Sequence, residues 1–162
     1  MKRDHSIIFI CMGNICRSPT AEGVFRHKAR AAGLIDRVSI DSAGTHNYHP
    51  GEPPDARSQH YAKLRGYDLS DLRARALRDA DIERYDWLIV MDDLNYSTVL
   101  ARTLETHHRK LRLLTEFCSE RRQCGVPDPY YGDATDFNRV LDLVEDACNG
   151  LVERIRNDIA LD

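Results

Sequence analysis

The stretch Ile7-Ile8-Phe9-Ile10-Cys11-Met12-Gly13-Asn14-Ile15-Cys16-Arg17-Ser18-Pro19 decides how the chain is read. An apolar run ends at Cys11, as in a strand covered on both faces. Six residues of loop follow, then Ser18 and Pro19. Serine suits a helix N-cap and proline the first helical turn, so the loop ends on a helix amino terminus. That end offers unpaired N–H groups and the positive end of the helix dipole, which favour an anion. Gly13 and Asn14 enter left-handed backbone conformations easily, so the loop can curl its amides inward around phosphate oxygens.

Cys11 lies at the base of this cradle. The loop dipoles, the helix end and Arg17 all favour its thiolate, the form that acts as a nucleophile. Arg17 adds a rigid fork of donors able to grip two phosphoryl oxygens. The spacing C-x5-R carries little information by itself, because Cys148 and Arg154 repeat it. That second pair falls inside an amphipathic segment with no strand before it, and reads as packing and surface. Only the first pair has the strand, the Gly-Asn turn and the helix start, which separates it from an inert strand-end thiol.

Further strands are expected at Val38–Ser42, Trp87–Met91 and Leu111–Leu114, after a first at Ser6–Cys11. Helical patterns occupy Ser18–Ala32, Pro54–Arg65 and Leu94–Leu104 between them. A long stripe follows: Phe137, Val140, Leu141, Val144, Cys148, Leu151, Ile155 and Ile159. Strands alternating with helices imply a parallel sheet whose ligands bind beyond the carboxyl ends of its strands. Cys11 is at such an end. A length of 162 residues fits one domain, residues 1–162. The net charge of −3 gives no basic field for nucleic acid. Five cysteines without a regular framework suit free thiols and a cytoplasmic setting. No apolar run approaches the ~20 residues of a membrane span, and no metal cluster is read. His46-x-x-His49 has metal-like spacing but sits in a polar, Gly- and Pro-rich loop without further ligands. Arg73, Arg75 and Arg78, and the run His107-His108-Arg109-Lys110, read as solvated faces.

Displacing an aryl oxygen from phosphorus needs a nucleophile, an oxygen clamp and an acid. Cys11 and Arg17 fill the first two places. Asp128, in Pro127-Asp128-Pro129-Tyr130-Tyr131-Gly132, is the candidate acid; the same residue also reads as an ordinary turn former before proline. Tyr48, Tyr130, Tyr131, Met12 and His46 are the expected walls of a slot deep enough for a phosphoaryl group.

These motifs together resemble the low-molecular-weight protein tyrosine phosphatases, bacterial type. The resemblance rests on Cys11 to Pro19, on Asp128-Pro129-Tyr130-Tyr131-Gly132, on Asp41-Ser42-Ala43-Gly44, on Pro53-Pro54-Asp55 and on Val90-Met91-Asp92. It implies an α/β fold: one three-layer domain with a four-stranded parallel sheet, order 2-1-3-4, and helices on both faces. It implies phosphotyrosine hydrolysis through a phosphocysteine on Cys11, without a cofactor, with Asp128 as acid and then base. The backbone of Met12, Gly13, Asn14, Ile15, Cys16, Arg17 and Ser18 would hold the phosphoryl group. Asn14, Ser18, Ser42 and Asp92 would support the loop, Asn14 through Ser42 and Ser18 through the Cys11 sulfur. Cys16 would be a redox partner of Cys11; a Cys118–Cys124 bridge is disfavoured. Expected partners are a phosphotyrosine-bearing protein, such as a tyrosine autokinase, or a small aryl phosphate, acted on by a monomer or weak dimer. Two related activities compete. Phosphoarginine phosphatases carry Thr where this chain has Ile15, and arsenate reductases coupled to thioredoxin need two more cysteines, which Leu77–Met91 lacks.

Overall fold

The computed structural model describes residues 4–120 and 125–161. The apolar run forms β1 (His5–Cys11), an inner strand. It pairs in parallel with β2 (Val38–Gly44), from His5 opposite Val38 to Cys11 opposite Gly44. On its other side lies β3 (Trp87–Val90), from Ile7 opposite Trp87 to Ile10 opposite Val90. A short β4 (Leu111–Leu113) pairs with β3, giving the order β2-β1-β3-β4. From Ile7 to Ile10 the strand has a neighbour on each edge and is buried, so its side chains there can be apolar without a break.

Alternation sorts those side chains into two layers. Ile7, Phe9, Cys11, Ile89 and Met91 face α1 (Arg17–Ala31) and α5 (Ala134–Ala160), with Ala62 of α2 (Ala56–Leu64) at the margin. Phe9 packs on Phe25 of α1 with ring centroids 5.6 Å apart. Ile8, Ile10, Leu88 and Val90 face the other way, against Ile82 of α3 (Asp79–Arg84) and Val99 of α4 (Asp93–Arg102). The stripe read along the last segment is the face that α5 buries, from Phe137 to Ile155. Its start is fixed by Asp133, whose Oδ1 accepts the Thr135 N–H at 3.0 Å, while Asp136 accepts the Asp133 N–H at 2.9 Å. Among the described residues no helix is long and apolar enough to cross a membrane.

Three details differ from the sequence reading. The first helix starts at Arg17, so Ser18 sits inside its first turn rather than capping it. Its hydroxyl is committed to the Cys11 sulfur and the Asn14 amide instead. The helix α3 and the 3-10 turns Glu105–Lys110 and Leu114–Phe117 have no counterpart in the sequence reading, being too short to show a period. Arg75 is no solvated residue: its guanidinium bridges Asp41 at 2.9 Å and Asp81 at 2.7 Å.

Candidate active site

The loop after β1 is built around Asn14. Its φ of 58° is the left-handed conformation that only a short polar side chain or glycine takes readily. The side chain is buried, and every polar atom on it is used. Its Nδ2 donates to Ser18 Oγ at 2.8 Å and to Ser42 Oγ at 2.9 Å, and its Oδ1 accepts the Arg75 N–H at 3.0 Å. Ser42 Oγ donates on to Glu22 at 2.7 Å. Burial pushes the Glu22 carboxyl up, although Ser42 and Arg26 offset part of that. A fully satisfied buried network of this kind fixes one loop geometry.

Gly44 makes room for the loop. A Cβ on it would stand 2.7 Å from the Met12 carbonyl oxygen. Beyond it, Thr45 N–H donates to Cys11 O at 2.8 Å and His46 N–H to Met12 O at 3.0 Å. These bonds take the loop's carbonyls outward. Among the described residues, no acceptor is found for the N–H groups of Gly13, Ile15 and Cys16.

The Cys11 sulfur is buried at the foot of this loop. It receives the Asn14 N–H at 3.3 Å and lies 3.0 Å from Ser18 Oγ. Ser18 Oγ accepts a hydrogen bond from the Asn14 side-chain amide, so its own proton is available to the sulfur. Arg17 is also buried. Its Nη1 donates to Asp92 Oδ2 at 2.5 Å and to Val126 O at 3.1 Å. Burial would lower its pKa, but Cys11, Asp92 and Asp128 outweigh this and hold the guanidinium charged. Asp92 also caps α4, accepting the Asn95 N–H at 2.8 Å. Its two roles lock the guanidinium on one side, with Nη2 turned toward Asp128.

That cleft, about 230 Å³, is lined by Cys11, Met12, Gly13, Ile15, Cys16, Arg17, Tyr48, His49, Asp128, Tyr130 and Tyr131. Asp128 is half exposed at its mouth, with Oδ2 3.7 Å from Arg17 Nη2 and Oδ1 accepting the Tyr130 N–H at 3.1 Å. The segment carrying it is tied to the end of β3 by Val126 N–H, which donates to Met91 O at 2.6 Å. Tyr131 is 96 % exposed, projecting beside the mouth. Cys16 sits in the same wall as a thiol, and burial pushes it up to about 12, with a hydrogen bond to Ser58 pulling the other way. Cys118 is buried, with its sulfur 3.8 Å from Leu143 O, and Cys124 lies outside the described residues.

His46 is not among the residues that line the cleft; it stacks on Tyr48, centroids 4.9 Å apart, with Nδ1 bonded to Thr45 Oγ1. His49 takes the lining position, its Nδ1 2.8 Å from Glu52 Oε2. The pattern His-x-x-Glu in a Pro-bounded turn was the available signal. Glu22 was missed because it reaches the loop only through Ser42, and Arg75 was read as a solvated face because its backbone N–H meets Asn14 from a distant segment. The second C-x5-R pair behaves as packing and surface: Cys148 is wholly buried in α5, and Arg154 lies over Trp87.

Comparison with known proteins agrees with this architecture. Residues 6–161 match the family model of low molecular weight phosphotyrosine protein phosphatases. A low molecular weight protein-tyrosine-phosphatase of Streptomyces coelicolor is 38% identical over 159 residues, covering 96% of each chain. The human low molecular weight phosphotyrosine protein phosphatase is 34% identical over 151 residues, 92% of this chain and 94% of its own. The crystal structure of a protein tyrosine phosphatase from Entamoeba histolytica superposes with a TM-score of 0.91 at 37% identity, covering 95% of this chain and 98% of that one. The chain belongs to the low molecular weight phosphotyrosine protein phosphatase family.

Proposed function

We propose that the protein hydrolyses phosphotyrosine and other aryl phosphate monoesters through a phosphocysteine on Cys11. The observation that carries this reading is that a single cleft is lined by Cys11, Arg17 and Asp128. In the first step the Cys11 thiolate attacks phosphorus, an S–P bond forms and the P–O(aryl) bond breaks. Asp128 gives its proton to the departing aryloxide. In the second step water attacks phosphorus, Asp128 takes the water's proton, and the S–P bond breaks to release orthophosphate and the thiolate. The unpaired amides and the Arg17 fork hold the equatorial oxygens through both steps, a preorganised electrostatic clamp of the kind that dominates such reactions. Ser18 stabilises the sulfur as nucleophile and as leaving group. Met12, Ile15, Tyr48, Tyr130 and Tyr131 give the slot apolar walls, and its depth favours a phosphoaryl group over the shorter phosphoserine.

The same reading makes Cys16 a resolving thiol. Peroxide would oxidise the Cys11 sulfur to a sulfenic acid, and the Cys16 sulfur would displace water from it to give a reversible disulfide. Substrates of the right chemistry are tyrosine-phosphorylated proteins, a tyrosine autokinase among them, and small aryl phosphates. Buried thiols at Cys11, Cys16 and Cys148 suit a reducing, cytoplasmic setting.

The test is turnover of p-nitrophenyl phosphate and phosphotyrosine without added metal. Wild type should be active, Cys11→Ser inactive, and acid-quenched wild type should carry one phosphoryl group on the Cys11 peptide by mass spectrometry. Activity that appears only with added Mg²⁺ or Zn²⁺, or a phosphoryl group elsewhere, would sink the mechanism.

A further inference from the structure

Arg57 stands outside the cleft lining yet touches both halves of the site. It occupies the second position of α2, where a cation opposes the helix dipole. Local helix stability therefore does not explain it. Its guanidinium is fixed by Asp55, the N-cap, with Nε at 3.1 Å from Oδ1 and Nη2 at 3.0 Å from Oδ2. The Asp55 backbone N–H in turn donates to Ile15 O, in the phosphate loop, at 2.8 Å. On the other side, Arg57 Nη2 donates to Tyr130 O at 2.9 Å. The same guanidinium covers the rings of Phe137, at 4.6 Å, and Tyr130, at 5.7 Å. Tyr130 N–H then donates to Asp128 Oδ1 at 3.1 Å. A continuous chain of bonds thus runs from Ile15 through Asp55, Arg57 and Tyr130 to the Asp128 carboxylate.

We propose that Arg57 is a positioning residue that sets the distance between the acid-bearing segment and the phosphate loop. The inference rests on the reading of Asp128 as general acid. Asp128 is half exposed and carried on a Pro-rich segment, so its placement depends on what that segment is tied to. Asp55 is a suitable anchor because it stays ionised: burial would raise its carboxyl, but the Arg57 bonds outweigh that and hold it below the usual range. A guanidinium is needed because one side chain must bond a carboxylate and a carbonyl while stacking on an aromatic ring. Ordinary exposed ion pairs contribute little to stability, so the effect is expected in chemistry rather than in folding.

The experiment measures kcat/KM for phenyl phosphate, a poor leaving group, and p-nitrophenyl phosphate, a good one. Wild type, Arg57→Met, Arg57→Lys, Asp128→Ala and the Arg57→Met/Asp128→Ala double variant are compared, each with its melting temperature and vanadate affinity. Arg57→Met should lose about tenfold on phenyl phosphate and under about threefold on p-nitrophenyl phosphate, since small misplacement of a catalytic group is costly. Vanadate affinity should stay within about twofold, and Arg57→Lys should recover part of the loss. In the Asp128→Ala background Arg57→Met should cost under about twofold, because the group it positions is gone. Equal losses on both esters, or full additivity with Asp128→Ala, would overturn the proposal. If Arg57→Met folds poorly, the same comparison is made with Arg57→Lys. If Asp128→Ala itself shows no greater loss on phenyl phosphate, the acid assignment fails and takes this inference with it; if Asp128→Ala does and Arg57→Met does not, only the inference fails.

Discussion

The two segments that meet at the cleft are built in opposite ways. The loop from Cys11 to Ser18 is interior: Asn14, Arg17 and Ser18 are buried, and their polar atoms are paired with Ser42, Arg75, Asp92 and one another. The segment from Gly125 to Gly132 leaves the interior after the buried Val126 and carries its functional side chains at the surface: Asp128 and Tyr130 are partly exposed and Tyr131 almost wholly so. A few ties hold it, through Val126 to Met91, through Arg57 to Tyr130, and through the longer Arg17–Asp128 contact. The difference matches the tasks proposed for them. Gripping a tetrahedral dianion needs donors fixed before the ligand arrives. Moving a proton on and off a carboxylate needs contact with leaving groups of several sizes and with water.

If that contrast holds, the largest effect belongs to the nucleophile. Cys11→Ser should lose at least about 10⁴-fold in turnover, the scale seen when a nucleophile is removed, while still binding vanadate. Residual turnover within tenfold of wild type would contradict the assignment. Next comes a paired measurement. Asp128→Ala should lower kcat/KM on phenyl phosphate by about 10²–10³-fold and leave the melting temperature unchanged. Asn14→Ala should lower activity by about 10²-fold and also lower the melting temperature by about 4–8 °C, equivalent to about 2 kcal/mol of buried polar pairing. Asn14→Gly, which accepts a φ of 58° without strain, should melt no lower than the Ala variant while losing comparable activity. If Asp128→Ala also melts several degrees lower, the surface segment is structural and the contrast collapses. Gly125→Ala adds a Cβ 2.5 Å from Met91 O at a φ of +74°, so it should destabilise by about 1–3 kcal/mol and displace Asp128. Unchanged melting and activity would show that the tie to β3 is dispensable. The smallest effect should be Tyr131→Ala, under about threefold on p-nitrophenyl phosphate, because so exposed a ring has little of a small ester to cover. A loss above tenfold would make Tyr131 part of the inner wall.

The same contrast explains what the sequence could reveal. The sheet was legible because its strands are unbroken apolar runs, and α5 because its stripe persists over many turns. Cys11 and Arg17 were legible because strand, turn and helix start lie within one short stretch. Short elements such as α3 carried no period to read. The supports of the loop act through residues far away in sequence: Glu22 through Ser42, Arg75 through its backbone N–H, Arg57 through Asp55. No local pattern marks such residues, and each looks like an ordinary surface charge. The spacing His46-x-x-His49 groups the two rings in one polar loop, whereas Tyr48 meets His46 face to face and His49 edge-on, sending them to different places.

The height of the reactive sulfur follows from the pairing of β1. Seven residues of that strand are matched to β2 and four to β3, and the last match sets Cys11 against Gly44. Successive side chains point to opposite layers, so a slip of one residue would hand this station to Ile10 and swing the thiol toward the α3–α4 side. Chemistry at the rim is therefore indexed by rungs of the ladder far beneath it. Substitutions deep under β1 that loosen its alignment would blunt the enzyme without touching any atom that meets the ester.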